Sequence, residues 1–403
     1  MVVKIEKSEL TGIAKFPASK SISHRLIIAA ALANGESAIF RISKCDDVMA
    51  TIASMSSLGA EFTFEGDVLK VKGIDISKAI PKDALFVNES GSTLRFLIPL
   101  AYLTGSDITF RGAKRLFERP LGIYADIAKE QGLKFDLHDD SLNVCGTIRG
   151  GKYELPGNVS SQFITGLLFA LPMAEEDSKI VIKPPFESRP YVDMTLDTLS
   201  KFGICANFVD ENTITVVGNQ KYRPASCYVE GDWSGGAFLL ALNMLHDGIS
   251  VEGFDSNSLQ GDKVAVEYFE KIRTGTPTLD ITDCPDLGPI LFAMAAYFNG
   301  ATFTGTKRLK IKESDRAEAM KSELEKFGAR VDIFEDSVRV FCGIHAPDDI
   351  LLGHNDHRIV MSLATLASKL GGTIHGAEAI NKSYPEFFDT LERLGINIEV
   401  LDG

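Results

Sequence analysis

Tryptophan occurs once in the 403 residues, and no two of the six cysteines (Cys45, Cys145, Cys205, Cys227, Cys284 and Cys342) stand close enough to make a CxxC pair. The first scarcity argues against an aromatic binding surface. The second leaves no start for a zinc site or redox motif, so buried free thiols are expected. No run of about 18 apolar residues occurs, and the opening MVVKIEKSEL has no basic region followed by an apolar stretch. A cytoplasmic protein is expected. Positive charge is short as well: 42 Lys and Arg stand against 55 Asp and Glu, a net charge of −13. That balance opposes general binding to nucleic acid or an anionic membrane, which depends on clustered basic residues. Any cationic site must therefore be local.

What the chain does have is glycine, 35 of them, in a sequence 45% hydrophobic and 24% charged, the balance of a globular protein long enough for two or three domains. One phrase recurs six times: an amphipathic helix, a glycine stop and a short strand. The copies are TIASMSSLGAEFTF, YADIAKEQGLKFDL, TLDTLSKFGICANFV, VEYFEKIRTGTPTLDI, MKSELEKFGARVDIF and FDTLERLGINIEVL. Their glycines, Gly59, Gly132, Gly203, Gly275, Gly328 and Gly395, are separated by 73, 71, 72, 53 and 67 positions. Each is expected to be a left-handed C-cap residue. A second helix accompanies the copies and is apolar nearly all round, as in RLIIAAALANG, LRFLIPLAYLTG, FITGLLFALPMA, AFLLALNMLHDG, PILFAMAAYFNG and RIVMSLATLASKLGG. Helices of that kind are buried. The expectation is an α/β repeat protein of two similar domains, with three units in each. Periodicity alone leaves open which half takes the early strand GIAKFP.

The segments leading into the buried helices are polar and built of small residues: PASKSISHR, NESGSTLR, GNVSSQ, GDWSGG, CPDLGP and GHNDHR. Unpaired N–H groups and the positive end of the helix dipole suit such N-termini to anions. Eight cations at loop ends, Lys20, Arg25, Arg95, Arg119, Lys312, Arg316, Arg358 and Lys382, suggest one focused polyanion cleft in an acidic chain. IKESDRAE, with Lys312, Glu313, Asp315 and Arg316, reads equally as a solvated helix start with local ion pairs, Asp315 and Glu318 being spaced as a capping pair. Other motifs fail. GTIRGGK (146–152) is close to a phosphate-binding P-loop, but Tyr153 stands where Ser or Thr would hold magnesium. His354 and His357 lack a further cluster of metal ligands. Ser160, Ser161 and Gln162 have no recognisable His and Asp partners, which favours phosphate binding over nucleophilic chemistry.

In order along almost the whole chain, these motifs resemble the EPSP synthase family: PASKSISHR, ESGSTLRFL, ERP, SSQF, SRPY, CPD, IKESDR, NDHR and KSYPEFF. The resemblance implies two domains of three βαβαββ units around buried helices, an inside-out α/β barrel, divided as 19–228 against 1–18 with 229–403. The first would bind mainly shikimate 3-phosphate and the second would complete the phosphoenolpyruvate site, in an interdomain cleft. It implies contacts to shikimate 3-phosphate from Lys20, Ser21, Arg25, Ser160, Ser161, Gln162, Ser188, Tyr191, Asp286 and Lys312. Phosphoenolpyruvate would be held by Lys20, Gly91, Arg119, Gln162, Arg316, Arg358 and Lys382. Asp286, Glu313 and Lys382 are the implied catalytic groups, with no metal or organic cofactor and a monomer acting on two small molecules.

The pattern is not followed everywhere. Ala18 and His24 stand where Gly and Asn are usual, Phe96 where some members have Pro, and no role passes to Glu89 or Arg308. Three rivals are weighed. The sister enzyme that acts on UDP-N-acetylglucosamine typically carries a reactive cysteine in the loop that here reads RGAKRLFERP. RNA 3'-phosphate cyclase shares only the repeat architecture. The third is a non-catalytic phosphometabolite-binding protein on the same scaffold.

Overall fold

The computed structural model describes residues 1–81 and 83–401. It divides into two compact units, Ala18–Glu230 and Met1–Pro17 with Gly231–Gly403. Six apolar helices, Lys20–Leu32, Gly91–Ala101 and Ser161–Ala170 in the first unit and Trp233–Leu245, Gly288–Tyr297 and His357–Leu370 in the second, fill the two cores. In Gly288–Tyr297 nine of the ten residues are buried, which is why the segment shows no polar face.

Four of the buried helices, Gly91–Ala101, Ser161–Ala170, Gly288–Tyr297 and His357–Leu370, each join two strands that pair in parallel. In the second repeat Leu85–Asn88 pairs in parallel with Ile108–Gly112, and the hairpin Lys134–Leu137 and Ser141–Cys145 completes an antiparallel edge. The same four-strand order recurs with Gly151–Pro156, Ser178–Lys183, Thr213–Val216 and Ala206–Asp210, and with Thr278–Asp280, Ala301–Thr304, Ser337–Val340 and Val331–Ile333. The fourth repeat differs: Thr11–Lys15 pairs with Gly248–Glu252 in a sheet of two strands and no hairpin follows. GIAKFP thus belongs with the C-terminal unit.

That missing hairpin corrects one expectation. Five of the repeat glycines have positive φ (Gly59 +112°, Gly132 +69°, Gly203 +75°, Gly328 +88°, Gly395 +100°), but Gly275 is extended at −174°. At the five, the glycine N–H bonds three residues back and the next N–H five residues back, as in Gly132 to Lys129 and Leu133 to Ala128. After four of these caps the chain enters a hairpin, and after Gly395 it enters Ile398–Leu401, which pairs with Val2–Ile5. Gly275 instead donates to Lys271, four residues back, and the chain runs on toward Thr278–Asp280, the first strand of the next repeat.

The cysteine expectation is also corrected. Cys45, Cys227 and Cys284 are buried, but Cys145 is half-buried and Cys205 and Cys342 are exposed, each lying at or just outside the end of a strand. All six are free. Tyr153, the residue that spoils the P-loop resemblance, lies in the strand Gly151–Pro156. Among the described residues no helix is long and apolar enough to cross a membrane.

Candidate active site

Five of the six polar lead-ins spend a side chain on capping their helix. Ser19 accepts the N–H of Ile22, Ser90 that of Thr93, Ser160 that of Gln162, Asp232 that of Gly235 and Asp356 that of Arg358. An oxygen at that position satisfies an N–H that the helix leaves unpaired. The CPDLGP segment does not follow. It forms a short 3-10 turn, Pro285–Leu287, with no side-chain cap there or at the helix after it. Asp286 turns to side chains: Oδ1 lies 3.1 Å from Lys312 Nζ and 2.7 Å from an Arg316 terminal nitrogen, and Oδ2 lies 3.1 Å from one of Arg358.

Around this carboxylate the C-terminal unit gathers a compensated set. Arg316 reaches Glu313 Oε2 at 2.7 Å and Asp356 Oδ2 at 2.9 Å, and Ser314 donates to the same Asp356 oxygen at 3.0 Å. Lys382 donates to the carbonyl of Asn355 at 2.7 Å. The set has a buried floor and an accessible edge. Arg316 and Asp356 side chains are 1% and 0% exposed, against 20% for Asp286, 23% for Lys312 and 19% for Glu313. Burial opposes ionisation of Asp286, but Arg358, Lys312 and Arg316 outweigh it and hold its pKa well below the usual carboxylate range. Burial likewise lowers the Lys312 pKa, Asp286 partly countering it. The IKESDRAE segment is thus no solvated helix start: Asp315 caps the helix at Glu318, while Arg316 is buried beneath the cluster.

The N-terminal unit brings its residues together differently. Arg25, 2% exposed, donates to Thr195 Oγ1 at 2.9 Å and to the carbonyls of Ser21 at 2.8 Å and Tyr191 at 2.9 Å, with its guanidinium 5.3 Å from the centre of the Phe96 ring. Burial pulls its pKa down to about 10. Ser188, at φ +57°, begins the helix Arg189–Lys201 that carries Tyr191. One helix away, Arg95 donates to Gln162 Oε1 at 2.7 Å, and Gln162 donates to Ser92 at 3.1 Å. A Cβ placed on Gly91 would lie 2.9 Å from an Arg119 nitrogen and 3.0 Å from one of Arg95, so both guanidinium groups converge on that glycine. Lys20 pairs with Asp47 at 2.9 Å. Ser160 and Ser161 sit at the start of the helix that carries Gln162.

Asp47 and Asp356 escaped the sequence reading, although Asp356 lies inside NDHR. It caps the helix His357–Leu370, and the same carboxylate also grips Arg316 from 40 residues away. Arg308 donates to the Thr282 carbonyl. His354 bonds Glu323 rather than serving as half of a metal pair, and among the described residues no cluster of three His, Cys, Asp or Glu could hold a metal ion.

A doubled three-repeat fold with buried cations drawn to the starts of its apolar helices defines a class of protein suited to small, multiply charged anions. Comparison with known proteins places it more closely. The family described as EPSP synthase (3-phosphoshikimate 1-carboxyvinyltransferase) matches residues 5–391, and the chain belongs to that family. It is 40% identical to the 3-phosphoshikimate 1-carboxyvinyltransferase of Clostridium kluyveri, over 98% of both chains. With the enzyme of that name from Clostridioides difficile it shares 37%, again over 98% of both. Among solved structures, EPSP synthase from Acinetobacter baumannii superposes over 100% of both chains with a TM-score of 0.80 at 22% identity. The enolpyruvyl transferase NikO from Streptomyces tendae matches with a TM-score of 0.79 at 16% identity, over 99% of this chain and 98% of that one. At such identities these two likenesses speak for the fold.

Proposed function

We propose that this chain transfers the enolpyruvyl group of phosphoenolpyruvate to the 5-hydroxyl of shikimate 3-phosphate and releases inorganic phosphate, a step of aromatic amino acid biosynthesis. The observation that carries the reading is Asp286, the aspartate of the six lead-ins that caps no helix and meets three cations instead.

Two multiply charged anions must approach before a neutral hydroxyl can attack a weak electrophile, so the protein must first offset their repulsion. Lys20, Ser21, Arg25, Ser160, Ser161, Gln162, Ser188 and Tyr191 take shikimate 3-phosphate. Lys20, Gly91, Arg119, Gln162, Arg316, Arg358 and Lys382 take phosphoenolpyruvate. Holding the reactants in register is worth up to about 7 to 11 kcal/mol in favourable systems.

Asp286 at rest is a weak base, because its cations stabilise the carboxylate. The phosphoenolpyruvate anion competes for Arg316 and Arg358, and each contact it draws away makes Asp286 more basic. With Lys312 beside it, Asp286 then takes the proton of the 5-hydroxyl as the oxygen bonds to the central carbon of phosphoenolpyruvate. An acid, Lys382 or Glu313, protonates the methylene carbon to a methyl group, giving a tetrahedral adduct. Elimination removes a proton from that methyl group, restores the double bond and expels phosphate. The protein acts as a monomer in the cytoplasm, and the balanced reaction calls for no redox partner.

Phosphate release tests the reading. It should require both substrates and vanish when either is omitted or when UDP-N-acetylglucosamine replaces shikimate 3-phosphate. Binding of both substrates without release would favour the non-catalytic binder.

A further inference from the structure

His354 and Asn355 are consecutive non-glycine residues in the left-handed region, at φ +50° and +51°. Each costs of order 1 to 2 kcal/mol relative to ordinary backbone, so the turn persists only where its surroundings hold it. Much depends on its course. Asp356 and Arg358 follow at once, and the Asn355 carbonyl accepts Lys382 Nζ.

The holder is Glu323, a carboxylate 1% exposed in the last turns of the helix Arg316–Lys326. Its Oε1 lies 2.8 Å from His354 Nε2, and its Oε2 accepts the N–H of Leu352 at 2.8 Å and Lys326 Nζ at 2.8 Å. Burial disfavours its charge, yet these three donors outweigh burial and lower its pKa. Arg316, seven residues earlier on the same helix, grips Asp356. At about 1.5 Å of rise per residue the two clamps stand about 10 Å apart, one for each end of the loop from Leu352 to Asp356.

We propose that Glu323 is a positioning residue for the phosphoenolpyruvate-binding cations: it fixes the left-handed turn that aims Arg358 and seats Lys382, without itself touching substrate. The proposal rests on the function given above. A purely structural staple predicts loss of stability with both substrates affected alike. A positioning role predicts a split, because the groups assigned to shikimate 3-phosphate lie mainly in the other unit.

The test is steady-state kinetics of the full chain with Glu323→Ala and Glu323→Gln, alongside melting temperature and direct binding of shikimate 3-phosphate. Misplacing a binding group by a fraction of an ångström to one ångström costs about 10- to 100-fold, so Glu323→Ala should raise KM for phosphoenolpyruvate by that factor. Shikimate 3-phosphate affinity should stay within about twofold. Glu323→Gln keeps an oxygen for the Leu352 N–H and should recover much of the loss. An unchanged KM for phosphoenolpyruvate, or equal losses for both substrates that track melting temperature, would overturn the proposal. Should Glu323→Ala fail to fold, His354→Asn removes the imidazole while tolerating the left-handed backbone, and the same split is expected of it. No split there would also overturn the proposal. A folded wild-type chain that releases no phosphate would instead sink the functional reading on which it rests.

Discussion

Arg25 and Arg316 are both almost wholly buried, at 2% and 1% exposure, yet the two units hold them by opposite means. Arg25 rests on a hydroxyl, two carbonyls and an aromatic face, and burial draws its pKa down. Arg316 rests on Asp286, Glu313 and Asp356, whose charges raise its pKa above the ordinary value despite burial. The first arrangement leaves the positive charge for a ligand to neutralise. The second has already neutralised it, so a ligand anion must displace a carboxylate and thereby changes what that carboxylate can do. Binding by uncancelled charge and chemistry by exchanged charge are two uses of the same side chain.

The comparison breaks most sharply under matched substitutions. Arg316→Met leaves the buried Asp356 carboxylate without its cation, which typically costs about 3 to 5 kcal/mol. Arg25→Met takes one donor from neutral acceptors that keep other partners, so it should cost less, about 1 to 3 kcal/mol, and should chiefly weaken shikimate 3-phosphate binding. Unfolding the two variants side by side checks the order, and a larger loss at Arg25 would contradict the distinction.

A smaller effect sharpens the picture inside the N-terminal unit. Gly91→Ala pushes on the far ends of two flexible guanidinium side chains rather than on backbone. The protein should fold normally while KM for phosphoenolpyruvate rises about tenfold, since displacements of tenths of an ångström are felt in binding geometry. A lowered melting temperature with unchanged KM would show that the glycine serves packing instead.

The smallest effects compare two repeat glycines. An added Cβ meets nothing within 4 Å at Gly132 or Gly275, so backbone conformation alone decides. Gly132→Ala, at φ +69°, should cost about 1 kcal/mol. Gly275→Ala, in extended backbone, should be neutral or stabilise by about 0.4 to 1 kcal/mol through the unfolded state. Denaturant unfolding resolves the pair, and equal costs would undo the account of the shortened repeat.

Much of this was legible in the sequence, because helix period, glycine stops and capping residues are local properties. The buried helices stood out as apolar on every side, and the cations stood out as exceptions in an acidic chain. The separation of 53 between Gly275 and Gly328, against 71 to 73 for the first three intervals, already held the missing hairpin. A spacing alone does not say which element is lost. Partners remote in sequence were not legible: Asp47 for Lys20, Asp356 for Arg316 and Glu323 for His354 are joined only by folding. Nor could spacing tell Asp286 from a cap, since Ser and Asp occupy the same place before the other buried helices.

Asp286→Asn tests the central claim most directly, because it keeps the side chain's shape while removing the basic carboxylate. Melting temperature, shikimate 3-phosphate affinity and phosphate release should be measured on one preparation. The account predicts a folded protein that still binds shikimate 3-phosphate but turns over about 10² to 10⁴-fold more slowly, the usual contribution of a general base. Near-wild-type turnover in that folded variant would remove Asp286 from the chemistry.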